Sequence, residues 1–517
     1  MRAPRRMLAV ALALLVAGIT GGADAAPTIS HGEVTSFDGT AIAYTLFVPD
    51  DASSEDPVPI VFMTHGWGMR RERANAGMVA NLTGAGYAVI TWDQRGFGDS
   101  GGEAQVDSQD FEVRDVQALI DLVADPATTG GAVLLDADGD PRMGMIGGSY
   151  AGGIQLMTAA ADTRVDAIVP QITWNDLPEA LRPGGVLKLG WDVLLYGSGF
   201  ATGTAEGLDA PGGPRTGAYA QEIHQSFVEG LALNDWSDET FAWYDSRSTK
   251  HYVGGTDVLP GVQAATLLVQ GVNDTLFPIN HAIDTYNAIT ANGSEARMIF
   301  FCGLLVGSTH AVHSLRADAS CDDGDQGPFI TAAALQWFDR HLNGNPGATA
   351  ISPISFQTQD GTFATATALP SETVAGAGTG TLVNTVAPTS SSQALATPSA
   401  GGFRVPITGA SGRTLLGVPE VDLAVTGTGL ESYVFMRLLD VAPDGTEIVI
   451  DDQVGAQKVV NLSDVAQQST VELPGVAWEV ASGHELVLEL TSTSADHSSS
   501  RVPSVSDITL SVSVPVL

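Results

Sequence analysis

Three observations on the sequence predict an α/β domain followed by a β-sandwich. From about residue 26 to residue 345, short apolar strands alternate with amphipathic helical segments, as in a parallel sheet covered by helices. Beyond residues 343–346 the composition shifts to Thr, Ser, Val and Gly with alternation of period two, as at 485–490. Roughly a hundred residues separate the strand near Ala167 from the strand at Thr266, far more than a simple crossover needs, which indicates an inserted lid.

The first 25 residues have the pattern of a secretory signal peptide. Arg2, Arg5 and Arg6 precede an apolar run at 7–16, and Ala-Asp-Ala at 23–25 fits a cleavage site before Ala26. The apolar run is too short to span a bilayer comfortably, and no later segment supplies a span. We therefore expect a protein exported to the periplasm or the extracellular space, by the Sec or the twin-arginine route.

Two apolar strands near the start of the α/β domain end in loops that contain glycine. The strand at 59–64 leads into His65-Gly66-Trp67-Gly68, and the strand at 87–92 leads into Asp-Gln-Arg-Gly-Phe-Gly-Asp-Ser-Gly-Gly at 93–102. Glycines allow the second loop to turn sharply back over the sheet. We expect Arg95 to tie loops together and His65 to support the loop after its strand.

A serine occupies a predicted strand-to-helix turn, Gly-Gly-Ser-Tyr-Ala-Gly at 147–152. An apolar strand at 143–146 precedes the turn and a helical segment at 154–161 follows it. In the nucleophile elbow of α/β-hydrolases, a serine sits on such a turn with small residues two positions before and after it, here Gly147 and Ala151. The six residues alone also fit a plain glycine turn, and the strands around them favour the elbow. Ser149 is therefore the candidate nucleophile.

An acid and a base follow in the order that this fold requires. The apolar strand at 266–271 precedes Val-Asn-Asp-Thr-Leu-Phe-Pro at 272–278, and the strand at 298–302 leads into a loop that carries two histidines. The order Ser149, Asp274, His310 is the one expected for a triad on this fold. His313 is the alternative base, and we favour His310 because it follows a short Gly-containing loop.

These residue types suit acyl transfer. A serine hydroxyl is a weak nucleophile near neutral pH, so that an imidazole must accept its proton and later donate it to the leaving group. Asp274 would orient that imidazole and stabilise its protonated form. The backbone N–H of Tyr150 and a second N–H, that of Trp67, would bind the tetrahedral oxyanion.

The two cysteines of the chain, Cys302 and Cys321, lie on either side of His310 in the sequence. In an exported protein, an isolated pair of cysteines indicates a disulfide. The loop that it closes would contain the candidate base, and the bridge would help to hold His310 in position.

Several of these motifs together resemble the X-prolyl dipeptidyl peptidase and cocaine esterase family. They are the elbow at 147–152, the loop at 93–102, Leu-Gly-Val-Pro at 416–419, and Arg-Leu-Leu-Asp-Val-Ala-Pro-Asp-Gly-Thr at 437–446, the last two resembling that family's non-catalytic β-sandwich. The resemblance covers nearly the whole mature chain. It implies a serine hydrolase but leaves the substrate open, because the family includes dipeptidyl peptidases, cocaine esterase, α-amino-acid ester hydrolases and cephalosporin acylases.

One departure from the family bears on the oxyanion hole. Its members often supply an oxyanion donor from a tyrosine hydroxyl after the first core strand, whereas this chain has His-Gly-Trp at 65–67. This favours a hole made of backbone N–H groups. The sequence also shows no evident acidic pair for a peptide's amino terminus, although acidic residues of the lid are candidates.

Charge and composition exclude some classes of partner. A formal charge of −36, from 59 acidic and 23 basic residues, disfavours nucleic acids and anionic membranes, because phosphate binding needs clustered Lys and Arg. The acidic run at 136–140 contains no EF-hand pattern, since Pro141 follows it and the downstream Glu is missing. We expect no cofactor and no metal, and a small-molecule ester or acylated substrate, in free or polymeric form.

The sequence thus predicts a signal peptide at 1–25, an α/β-hydrolase catalytic domain at 26–345 with an inserted helical lid at about 172–257, and a jelly-roll-like β-sandwich at 346–517. It predicts a secreted serine hydrolase that cleaves carboxylic esters through an acyl-enzyme on Ser149. The alternatives are an Xaa-Pro dipeptidyl peptidase or other amide hydrolase, and a polymer- or carbohydrate-binding protein with a vestigial hydrolase domain.

Overall fold

The structure, a computed structural model, describes residues 26–207, 219–303, 326–345, 347–348, 351–385, 402–494 and 496–517. The predicted signal peptide lies outside these residues. Within the described ranges, no helix is both long enough and apolar enough to cross a membrane.

Strands and helices alternate along the first part of the described chain. The strands are β1 (Thr28–Thr35), β2 (Ala41–Val48), β3 (Ile60–Met63), β4 (Ala88–Trp92), β5 (Leu135–Ala137), β6 (Asp140–Pro141), β7 (Met143–Gly148), β8 (Val165–Gln171), β9 (Ala265–Gly271), β10 (Ala296–Phe301), β11 (Ile354–Gln357) and β12 (Phe363–Ala366). The helices are α1 (Gly77–Gly84), α2 (Glu112–Ala124), α3 (Pro126–Thr129), α4 (Tyr150–Ala161), α5 (Leu177–Leu181), α6 (Leu189–Gly207), α7 (Gln221–Leu233), α8 (Asp238–Asp245), α9 (Asn280–Ala291) and α10 (Gln326–His341).

Ten of these strands form one sheet in the described residues, in the order β1-β2-β4-β3-β7-β8-β9-β10-β11-β12. The strands from β4 to β11 are parallel, and β1, β2 and β12 pair antiparallel at the two edges. Because parallel strands point their carboxyl ends the same way, the loops after β3, β7 and β9 meet at one edge of the sheet. These loops carry the candidate site.

Helices cover both faces of the sheet. Successive residues of a strand point to opposite faces, so that each central strand packs against helices on both sides. Ile60 and Phe62 of β3 pack on the side of α2 and α4, and Val61 packs on the side of α1 and α10. Both clusters are buried, which explains why the central strands read as continuous apolar runs rather than alternating ones.

The segment between β8 and β9 contains α5 to α8 and two short 3₁₀ turns, Pro183–Gly185 and Thr249–His251. The expected helical lid is thus present as an insertion in the sheet. Its aromatic side chains form one apolar cluster with Phe97 and Tyr150 of the hydrolase domain.

The C-terminal part is all-β and antiparallel. Its strands are β13 (Thr373–Asn384), β14 (Phe403–Ile407), β15 (Thr414–Gly417), β16 (Glu420–Val441), β17 (Glu447–Val449), β18 (Gly455–Leu462), β19 (Gln467–Glu472), β20 (Val476–Glu479), β21 (Glu485–Thr491) and β22 (Ser504–Pro515). The first half of the 22-residue β16 pairs with β22 and β19, and its second half pairs with β21 and β17. One long strand therefore belongs to two faces and gives this domain its nearly barrel-like form.

Two strands beyond residue 345, where the sequence places the domain boundary, belong to the hydrolase sheet. β11 pairs parallel with β10, and β12 pairs antiparallel with β11. Ile354 and Phe356 are buried against Met298 and Phe300 in a cluster that also holds Leu416 and Ala477 of the β domain. A short strand with alternating residues has the same sequence pattern in the hydrolase sheet and in the β domain. Only its packing in the structure shows to which of the two it belongs.

A buried arginine ties the N-terminal loops together, as predicted. Arg95 donates from Nε and Nη2 to the two carboxylate oxygens of Asp115, each at 2.7 Å, and from Nη1 to Asp38 at 3.1 Å. Both Arg95 and Asp115 are buried. Such a bidentate pair fixes the loop at 93–102 against α2.

We expect Arg95→Met to destabilise the protein by about 3–5 kcal/mol, because it leaves the carboxylate of Asp115 buried without its partner. Arg142→Met is the matched control, since Arg142 pairs with Asp136 at a half-exposed position and its loss should cost about 1 kcal/mol or less. Thermal melting of both variants tests this. Equal shifts in the melting temperature would contradict the structural role of Arg95.

Candidate active site

Ser149 lies between β7 and α4 in a strained backbone conformation. Its φ of 59° and ψ of −123° are rare for a residue with a side chain, and such strain persists only where the surroundings enforce it. The Ser149 N–H donates to the carbonyl of Gln171 at 2.9 Å, and its carbonyl accepts from the N–H of Gly152 at 2.7 Å. This is the geometry expected of a nucleophile elbow.

Small residues around Ser149 allow α4 to approach the sheet closely. A Cβ on Gly147, whose φ is +159°, would lie 2.7 Å from the Cβ of Ala151. A Cβ on Gly152 would lie 2.7 Å from the Cβ of Thr173 and 2.8 Å from the carbonyl oxygen of Gln171. The small residues that the sequence shows on both sides of the serine are therefore a steric requirement of the turn.

The loop after β3 runs beside the serine. A Cβ on Gly66 would lie 3.9 Å from the Cβ of Ser149. The next residue, Trp67, packs edge-on against Tyr150 with ring centroids 5.0 Å apart, and its indole N–H donates to the carbonyl of Leu195 in the lid at 2.9 Å. The indole donor of Trp67 is thus bound to the lid.

His65 supports this loop, as expected. Its Nδ1 lies 2.8 Å from the carbonyl oxygen of Gly66, and its Nε2 accepts from the backbone N–H of Gln94 at 3.0 Å. Because Nε2 accepts, the proton of the neutral ring is on Nδ1 and is donated to Gly66. Burial lowers the pKa of His65, so that the ring is neutral and serves as a link between two loops.

Asp274 lies on the loop that follows β9, and we call residues 272–277 the acid loop. Its side chain is fully buried, at 0 % exposure, and Oδ1 accepts from the backbone N–H groups of Leu276 at 3.0 Å and Phe277 at 2.8 Å. Leu276 and Phe277 line the same pocket as Ser149. The sheet order therefore brings the predicted nucleophile and the predicted acid to one edge.

His310, His313 and Cys321 lie outside the described residues. Cys302 directly follows β10 and is buried. The roles assigned to the two histidines and the disulfide between Cys302 and Cys321 stay predictions.

The pocket above Ser149 holds about 710 Å³ of space, part of it open to solvent, and its walls are mainly apolar. The hydrolase domain contributes Trp67 and Phe277, and the lid contributes Leu195, Tyr196 and Phe227. Tyr196 and Phe227 stack with ring centroids 3.9 Å apart. The lid therefore roofs an apolar pocket, which suits an acyl chain or an aromatic group.

One carboxyl group in the pocket was not singled out by sequence analysis. Asp192, on α6, lines the pocket, and its buried Oδ2 has no hydrogen-bond partner among the described residues. Burial raises the pKa of Asp192 to about 8, although the nearby Lys188 opposes the shift. The side chain is therefore mostly protonated at neutral pH. An acidic residue on a lid helix has the same sequence pattern as a solvated one, so that only the packing of the lid reveals it.

Two curated proteins are similar in sequence to part of this chain. Cocaine esterase from a Rhodococcus species is 26% identical over 341 residues, which cover 61% of this chain and 55% of that protein. The quorum-quenching protein AidA of Acinetobacter baumannii is 29% identical over 140 residues, which cover 26% of this chain and 43% of that protein. The chain thus spans about half or less of the length of these curated relatives.

Solved structures share the fold over nearly the whole chain. An aminopeptidase from a marine sediment archaeon has a TM-score of 0.70 at 13% identity, covering 95% of this chain and 96% of that one. An α-amino acid ester hydrolase has a TM-score of 0.70 at 14% identity, covering 98% and 100%. A CocE/NonD family hydrolase from Staphylococcus aureus has a TM-score of 0.64 at 13% identity, covering 95% and 96%.

The family model for X-Pro dipeptidyl-peptidase (S15 family) matches residues 38–311, more than half of the chain. The matched range includes the loop after β3, the elbow and the acid loop. This protein therefore belongs to the X-Pro dipeptidyl-peptidase family.

Proposed function

We propose that this protein is a secreted serine hydrolase that cleaves carboxylic esters through an acyl-enzyme on Ser149. The observation that carries the proposal is the strained backbone of Ser149, which presents its side chain to an apolar pocket. Family membership and the names of two similar proteins, a cocaine esterase and an α-amino acid ester hydrolase, support ester hydrolysis.

In the proposed mechanism, Ser149 attacks the acyl carbonyl while His310 accepts its proton and then donates it to the leaving alcohol. Asp274 orients the imidazole and stabilises its protonated form. Water then attacks the acyl-enzyme by the same route in reverse order. The buried position of Asp274 favours its role as an orienting group, because the low local dielectric strengthens its interaction with a protonated imidazole.

Two backbone N–H groups form the proposed oxyanion hole. Tyr150 begins α4, so that its N–H has no partner within the helix. The N–H of Trp67 is the second donor, and its place in the loop beside Ser149 supports this role. The indole N–H of Trp67 already donates to the carbonyl of Leu195 in the lid, so that we assign the oxyanion contact to the backbone N–H of Trp67 and not to its side chain.

Amide hydrolysis is the second candidate, and Asp192 favours it. The buried carboxyl of Asp192 could accept a hydrogen bond from the free ammonium group of a substrate. The positive charge of that ammonium group would lower the pKa of Asp192, so that the carboxyl would ionise. The third candidate is a binding protein with a vestigial hydrolase domain. The strained backbone of Ser149 disfavours it, because such strain costs free energy and is typical of active sites.

Secretion, the domain boundaries and the disulfide belong to the same proposal. The segment at 1–25 directs export, and the catalytic domain begins at residue 26 and carries its lid at about 172–257. The pairing of β11 and β12 with the hydrolase sheet supports an end of this domain after residue 366 rather than at 345, so that the β domain follows from there to residue 517. The oxidising compartment then allows the bridge between Cys302 and Cys321.

We expect Ser149→Ala to abolish ester turnover and labelling by a fluorophosphonate, because no other group in the elbow can form the acyl-enzyme. Ser226→Ala is the matched control, since Ser226 lines the same pocket but bonds to Ile223 and Tyr244. The control should keep both activities. Labelling of Ser149→Ala at the wild-type rate would remove Ser149 from the mechanism.

Single alanine variants of His310 and His313 test which histidine is the catalytic base. His310→Ala should lower kcat/KM by about three orders of magnitude or more, as losses of triad members do, whereas His313→Ala should change it little. Steady-state kinetics on a nitrophenyl ester give the answer. The opposite result would assign the base to His313.

Ester and peptide substrates are compared on short- to medium-chain acyl nitrophenyl esters and on an Xaa-Pro anilide. We expect kcat/KM to be at least about a hundredfold higher on the esters, which corresponds to about 2.7 kcal/mol, because an amide has the poorer leaving group. If the anilide is cleaved as well or better and requires a free amino terminus, the dipeptidyl peptidase is the correct function. In that case Asp192→Asn should impair the anilide far more than the ester.

A further inference from the structure

The acid loop is held by buried side chains that donate to its carbonyl oxygens. Lys188 of the lid segment donates from Nζ to Thr275 O at 2.7 Å and to Leu276 O at 3.3 Å. Gln270 of β9 donates from Nε2 to Phe277 O at 2.5 Å. These contacts fix the loop from the lid and from the sheet, and they leave the carbonyls of Val272 and Asp274 to be bound from a third side.

The third side is the C-terminal β domain. Gln453, only 5 % exposed, donates from Nε2 to Val272 O and to Asp274 O, both at 2.9 Å. One side-chain amide thus uses both of its hydrogens on the two carbonyls that flank Asn273, and one of these carbonyls belongs to Asp274 itself.

The backbone that presents Gln453 is itself held in an unusual conformation. Gln453 follows a 3₁₀ turn, Ile450–Asp452, in which Asp451 and Asp452 have φ values of 52° and 56°. The Gln453 N–H donates to Ile450 O at 3.1 Å, and Asp451 Oδ2 accepts from the N–H of Ala477 at 3.0 Å. Such strain persists only where the surroundings enforce it, and here it directs one amide toward the acid loop.

We infer that Gln453 is a positioning residue for the proposed triad, through which the C-terminal β domain holds Asp274 in place. The inference rests on the proposed function, because it assigns Asp274 as the triad acid. It gives the β domain a part in catalysis without contact to substrate. A carboxylate that shifts by about 1 Å orients the imidazole poorly, and misplacement of this size can cost about a hundredfold in rate.

The test uses the full-length protein with Gln453→Leu and Gln453→Glu. Leucine removes both hydrogen bonds, and glutamate keeps the shape but, when ionised, cannot donate and places a negative charge beside the two carbonyls. We expect each variant to lower kcat on a nitrophenyl ester by about tenfold to a hundredfold, with KM changed far less. For Gln453→Leu we also expect the acid limb of the pH profile of kcat/KM to move to lower pH, because an imidazole whose carboxylate neighbour has shifted away has a lower pKa.

Two controls remove side-chain bonds to backbone carbonyls at exposed positions away from the acid loop. Arg501→Met removes an exposed contact between the β domain and the lid, in which Arg501 donates to Ala232 O at 2.7 Å and Leu231 O at 2.9 Å, at the end of α7. Gln467→Leu removes an amide that bridges the carbonyls of Val460 and Asn461 within the β domain. Both variants should keep the wild-type kcat and the wild-type pH profile.

The outcomes distinguish this inference from the proposed function. Wild-type activity in Ser149→Ala or Asp274→Asn would overturn the triad itself. If those variants are inactive while folded Gln453→Leu keeps the wild-type kcat and pH profile, or loses no more than Arg501→Met, the positioning role is wrong and the triad stands. If Gln453→Leu does not fold, Gln453→Glu decides by its kcat, compared with the wild type and with Arg501→Met.

Discussion

The strained turn at Ser149 is the constraint on which the candidate site depends. A residue with a side chain does not hold a φ of 59° and a ψ of −123° unless packing and hydrogen bonds oppose its relaxation. Here the carbonyl of Gln171 holds the Ser149 N–H, and the first turn of α4 holds its carbonyl. Both contacts require α4 to lie tightly on β7 and β8, which the glycines at 147 and 152 permit. The remainder of the α/β sheet keeps these elements in place.

The acid side of the site is supported differently, by side chains that bind backbone carbonyls. The acid loop has no regular secondary structure, and a buried loop carries backbone groups that need partners. The lid supplies Lys188, the sheet supplies Gln270 and the β domain supplies Gln453. The lid, the sheet and the β domain thus all bind the six residues of the acid loop. The position of Asp274 therefore depends on how these three parts of the chain pack together.

The protein carries a large negative charge, and its buried acidic side chains are stabilised in different ways. Asp115 is paired with Arg95 in a bidentate contact. Asp192 and Asp451 are instead held with pKa values raised to about 8 by burial, so that they are mostly neutral at pH 7. The excess of acidic over basic residues favours solubility and repels polyanions. In the pocket, a neutral carboxyl can both donate and accept a hydrogen bond.

The sequence by itself determined the elements whose signals are local. The apolar strands and the small residues around Ser149 are short patterns, because an elbow needs its small residues within a few positions of the serine. The triad of Ser149, Asp274 and His310 stays a prediction. Only the tertiary structure decided what depends on distant contacts. It assigned β11 and β12 to the hydrolase sheet, placed Asp192 in the pocket, and brought Gln453 to the acid loop across 179 positions of sequence. A glutamine in a β domain has no local pattern that names its partner, since its hydrogen bonds are set by the packing of one domain on another.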